Sequence, residues 1–105
     1  MPSEHYRVDV TLNHPKASVS QVYLSAGHET PVHAHTHDYV VHPRAATKLL
    51  KTSYKDGAVI ATEEIEHKPG EPYFVAATED GVTFSLKNIG DGHMLCDKTL
   101  IPPRA

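Results

Sequence analysis

The sequence holds a single cysteine, Cys96, which excludes an internal disulfide. It lies in the apolar-rich segment His93 to Ile101 with no neighbour that would activate a thiol, so it reads as a buried filler and not a nucleophile. The ten Lys and Arg are scattered and never form a run, and the net charge is −3. Nucleic acid and anionic membrane are therefore excluded as partners, because both need a concentrated basic footprint. No apolar segment approaches the length that spans a bilayer, and MPSEHYRV lacks the apolar core of a signal peptide, so a cytoplasmic location is expected. No glycine-rich loop precedes a helix and no serine sits in a nucleophile elbow, which leaves phosphoryl transfer and serine hydrolysis without support.

What the chain has instead is histidine, nine in 105 residues. Five of them fall between Gly27 and His42, in GHETPVHAHTHDYVVH. Read as a strand from about Val32 to Val41, this stretch projects His33, His35 and His37 to one face, with next-nearest neighbours about 7 Å apart. Convergent neutral imidazoles are what a divalent transition metal requires. The competing reading is a polar stripe, solvated or held by hydrogen bonds. One strand is also an awkward source of three ligands, since His33 and His37 start about 13–14 Å apart along it. With so many imidazoles, net charge and any metal affinity should shift as pH falls through about 6.5.

Length and composition indicate one globular domain over residues 1–105, with no linker or repeat. Its elements read as strands throughout. Tyr6, Val8, Val10 and Leu12 alternate with Arg7, Asp9 and Thr11, a period-2 pattern broken at Asn13-His14-Pro15. Val19 to Ser25 follows, then the histidine strand, opened by Pro31 and stopped at Pro43. Thr47 to Tyr54 and Ala58 to Ile65 flank Lys55-Asp56-Gly57, a hairpin signal. Tyr73-Phe74-Val75, Val82 to Leu86 and Met94 to Ile101 complete about eight short strands separated by Pro-Gly, Asp-Gly and Gly-Asp-Gly turns. That spacing predicts an all-β, antiparallel jelly roll or barrel. Glu63, Glu64 and Glu66 read as a solvated strand face, and Tyr73 and Phe74 as core.

Gly27, five residues, then His33-Ala34-His35 resembles the opening half of the first cupin motif, and HAHTHDYVV resembles small bacterial single-domain cupins. Glu71-Pro72-Tyr73-Phe74 and Asn88 are similar to the stretches that lead into and close the second motif. The resemblance spans about residues 20 to 100 and implies a double-stranded β-helix. It implies a metal site as well, yet the place of the family's glutamate falls on Tyr39 or Val40 and that of its last histidine on Phe84. Only His33 and His35 remain, with His37 the first replacement ligand and Asp38 or His93 behind it.

Two functions follow. In one, the barrel binds a small molecule through a divalent Fe, Ni, Zn or Mn held by His33, His35 and His37, with Tyr39 or Asp38 as proton carrier. In the other, a metal-free module binds a small organic ligand in a pocket lined by His33, His35, Tyr39, Tyr73 and Phe84. Small cupins resembling this chain commonly form homodimers, and the expectation here is that Tyr6 to Leu12 or Met94 to Ile101 pairs with a second copy.

Overall fold

Alternation of apolar and polar side chains decides which face of each strand turns inward, and the computed structural model, which describes residues 5–101, arranges eight such strands in two antiparallel sheets. They are β1 (Tyr6–His14), β2 (Ala17–Leu24), β3 (Asp38–Pro43), β4 (Thr47–Lys55), β5 (Ala58–His67), β6 (Tyr73–Val75), β7 (Val82–Asn88) and β8 (Met94–Ile101). One sheet runs β1-β2-β8-β3-β6 and the other β5-β4-β7. Residues 1–4, the start of the segment read above for a leader, lie outside the described residues.

The two inner faces meet in a core of Val22, Leu24, Tyr39, Val41, Leu49, Met94 and Cys96. Every one of these sits at an alternate position of its strand, as a half-buried sheet requires. At one end Asn88 is completely buried and fully satisfied. Its Oδ1 accepts from Thr47 Oγ1 at 2.8 Å and from the Gly90 amide at 3.1 Å, while Nδ2 donates to the carbonyls of Leu24 at 3.0 Å and Gly92 at 2.9 Å. Asn88 thereby ties β2, β4 and the β7–β8 turn together. A Cβ at Gly90 would collide with Thr47 Oγ1 and the Lys48 amide, so only glycine fits there.

Three expectations about the fold are corrected. Phe74, expected in the core, is 60% exposed on β6. Met94–Ile101 is not an edge, because β8 pairs β2 on one side and β3 on the other; the edges of this sheet, among the described residues, are β1 and β6. The strand expected from Val32 to Val41 begins only at Asp38. Before it, the chain runs along β7 in the other sheet, with bridges Glu29–Lys87 and His33–Phe84. Between those bridges the histidine segment holds one residue more than β7 does. That bulge falls at Pro31-Val32, where proline has no amide to give to a ladder. Thr36 and His37 then form the bend that carries the chain from one sheet to the other.

Candidate functional site

The inner faces enclose a pocket of about 60 Å³. A single water needs roughly 10–15 Å³ on the same measure, so there is room for a few waters or a small organic molecule. Its walls divide by chemistry. Val22, Val41, Leu49, Leu86 and Met94 form an apolar part, while His33, His35, Lys51 and Lys98 share the polar part with the rings of Tyr39 and Phe84.

The crossover positions the histidines. The His33 amide donates to the Phe84 carbonyl at 2.9 Å and the Phe84 amide returns a bond of 2.8 Å to the His33 carbonyl. Two residues on, Thr78 Oγ1 accepts from the His35 amide at 3.1 Å and donates to its carbonyl at 2.9 Å. Both imidazoles face the pocket, edge to face, with centroids 5.1 Å apart. His33 Nδ1 lies 2.7 Å from the Pro31 carbonyl. A carbonyl only accepts, so Nδ1 carries the proton and Nε2 keeps a lone pair. His35 Nε2 lies 3.5 Å from Lys98 Nζ, which donates to it. Burial, then the charges of Lys98, His33 and Lys51, hold the His35 pKa down at about 4. Burial lowers that of Lys98 too.

His37 is placed elsewhere. It sits in the bend between sheets, its Nδ1 paired with Thr36 Oγ1 at 2.9 Å, and does not line the pocket. The i, i+2 argument required one regular strand through all three histidines, and the change of sheet after His35 breaks it. Asp38 is used as a clamp, its Oδ1 accepting the Ala77 amide at 2.8 Å. His93 is exposed beside Tyr23. Tyr39, Tyr73 and Phe84 all line the pocket. The Phe84 centroid is 4.4 Å from that of His33 and 5.4 Å from that of His35, and the Tyr39 ring is 4.6 Å from His35. Burial pushes the Tyr39 phenol up to about 12, so it stays protonated at neutral pH and does not serve as a base.

Do these residues fit the metal that the resemblance implies? Among the described residues no group of three or more His, Cys, Asp or Glu converges as a metal site requires. The two imidazoles are closed in by a phenyl ring, a phenol and an ammonium, and the ammonium lies against the lone pair that His35 would offer. Two nitrogens beside a fixed positive charge make a poor donor set. The metal does not fit.

Further features were not singled out from sequence. Lys51 and Lys98 face the pocket, with Lys51 Nζ 4.8 Å from the Phe84 centroid and Lys98 Nζ 5.3 Å from that of Tyr39. Their signal was positional, since each follows a buried residue, Leu49 or Cys96, at the i+2 position of an inward stripe. His67 is another such feature, its Nε2 2.6 Å from the hydroxyl of Tyr73 and its buried Nδ1 without a hydrogen-bond partner among the described residues.

Comparison with solved structures identifies the architecture. A cupin domain from Bordetella pertussis Tohama I is similar over 98% of this chain and 99% of its own, with TM-score 0.77 and 21% identity. An RmlC-like cupin family protein with a double-stranded β-helix fold from Methanocaldococcus jannaschii aligns over 95% of this chain and 83% of its own, with TM-score 0.68 and 15% identity. An uncharacterized conserved protein with a double-stranded β-helix domain from Klebsiella pneumoniae covers all of this chain and 84% of its own, at TM-score 0.68 and 17% identity. No family model and no curated protein matches the sequence. The chain has the cupin fold, a small all-β jelly roll.

Proposed function

We propose that the barrel binds a small organic molecule directly, without a metal. One observation carries this reading: Phe84 and Tyr39 pack against the His33 and His35 rings, and Lys98 occupies the lone pair of His35. An apolar wall facing a few fixed polar groups is the usual build of a small-molecule pocket. The reading assigns no reaction. The opposite reading, a metal-dependent enzyme, is favoured by the His33 Nδ1 bond to the Pro31 carbonyl, which fixes the tautomer that a ligating imidazole needs.

Elemental analysis of the untagged protein, with calorimetric titration of Zn, Ni, Mn and Fe(II), separates the two. The metal-free reading expects no stoichiometric metal and no uptake at micromolar concentration. Near-stoichiometric metal that is lost in His33→Ala and His35→Ala overturns it.

The proposal includes a homodimer in which a second copy covers β1, supported by that strand's free edge and its exposed Val8, Val10 and Leu12. It also includes a cytoplasmic setting, which suits one buried free thiol, Cys96. Among the described residues no helix is long and apolar enough to cross a membrane.

A further inference from the structure

Positive charge predominates among the residues that line the pocket. Lys51 and Lys98 line it, and none of the lining residues is a carboxylate. Neither lysine takes part in the ion pairs among the described residues, which join Arg44 to Asp97 and Lys68 to Glu66. The carboxylate in nearest register is that of Glu63, opposite Lys51 on β5; it is exposed and forms no ion pair with it, and its charge reaches the pocket only as a minor contribution, after burial, to the raised pKa of Tyr73. An ammonium withdrawn from water is normally compensated by an anion. The aromatic faces of Phe84 and Tyr39 compensate only part of that cost.

Both lysines address the same spot. Their ammonium groups lie over the two rings that flank His35, and both raise the local potential enough to disfavour a proton on that imidazole. Inward alternation places Met94 and Cys96 behind Lys98 on β8, and Leu49 behind Lys51 on β4. The pocket therefore grades from a cationic end to an apolar one. Its volume of about 60 Å³ leaves room for a short or planar organic body.

We propose that this pocket takes a small organic carboxylate, its head group held between Lys51 and Lys98 and its apolar body lying against Leu49, Leu86 and Met94. The inference rests on the metal-free reading above and names the ligand class of the same site. A carboxylate there accepts charge-assisted hydrogen bonds from both ammonium groups. It also relieves the potential at His35, whose pKa rises on binding.

The test is an NMR titration of the full-length, untagged protein at neutral pH and low salt. The probes are acetate, butyrate and benzoate, each beside its primary amide, which has the same shape and no charge. Carboxylates are expected to shift resonances of the pocket residues and to bind about tenfold tighter than the amides. Lys98→Met should bring the affinities of acid and amide close together; Lys51→Met provides the same reading if the first variant does not fold. Equal binding of acid and amide overturns the carboxylate inference and leaves the small-molecule pocket standing. No binding of either kind overturns both, and stoichiometric metal uptake removes the reading on which the inference rests.

Discussion

Lys98 Nζ stands 3.5 Å from His35 Nε2, so the ammonium donates into the lone pair that a proton or a metal would otherwise take. Protonating His35 would bring two positive charges into contact inside a half-buried pocket. That cost fixes the sign of a pH effect. The pKa of His35 is about 4 in the folded protein against an ordinary 6.5, so in this window the unfolded chain binds the proton that the native state refuses. The contribution to stability is complete above pH 6.5 and is lost as pH falls towards 4. Burial moves His67 in the same direction. Urea midpoints measured across this range should fall on acidification, and the fall should be shallower in His35→Gln. Equal slopes in the two proteins would contradict the assignment, whatever the carboxylates add to both.

Phe84 is almost fully buried and its ring touches both imidazoles, in the position where the resemblance to cupins leads one to expect a histidine. A third imidazole there, together with removal of the neighbouring ammonium, should complete a donor set. The double variant Phe84→His, Lys98→Met is therefore expected to take up Zn or Ni stoichiometrically, and more tightly than the natural chain assayed beside it. The loss of buried phenyl surface should cost roughly 1–3 kcal/mol of stability. Elemental analysis after dialysis decides it, and a folded double variant that retains no metal would show that Phe84 does not hold a ligand's place.

Asn88 makes a prediction about the scaffold. Its amide serves Thr47, Gly90, Leu24 and Gly92 at once, and all of it is inaccessible to water. Asn88→Leu fills a similar volume but removes the donor to the Leu24 carbonyl, while Thr47 Oγ1 still donates to the Gly92 carbonyl and the Gly90 amide to that of Lys48; a buried orphan costs about 1–3 kcal/mol. The expected loss is about 1–3 kcal/mol, measured by denaturant unfolding. A loss below about 1 kcal/mol would mean that water replaces the amide freely.

Strand identity was readable because period-2 alternation and turn residues agree along most of the chain. Val82 to Leu86 and Met94 to Ile101 lie where alternation put them, and Asp56-Gly57 closes a hairpin with both residues at positive φ. Alternation says nothing about which sheet a segment joins. This is why Val32 to Val41 reads as one strand although Glu29 to His33 bridges β7 and β3 pairs β8. The same blindness displaced His37, whose side chain depends on a bend that long-range bonds from Thr78 and Asp38 stabilise. Lysine in an alternating segment looks like the wet face, so the inward placement of Lys51 and Lys98 emerges only when the buried neighbours Leu49 and Cys96 set the phase.

Val10 offers the last test. On β1, Tyr6 turns into the pocket, and Val8 and Val10 continue that face, yet they are 45% and 63% exposed because nothing in the three-stranded sheet reaches over them. The register shifts between Val10 and Leu12, which ends the face and bends the edge. Exposed apolar residues on a free edge strand favour pairing with another chain, and a closed two-fold contact is the commonest way to cover them. Light scattering after size exclusion should therefore give a dimer for the natural protein and a monomer for Val8→Lys, Val10→Lys. Both side chains are largely in water already, so the barrel itself should lose no more than about 0.5 kcal/mol per site once monomeric. A natural protein that runs as a monomer at all concentrations would remove the second copy from the proposal and leave the pocket within each barrel untouched.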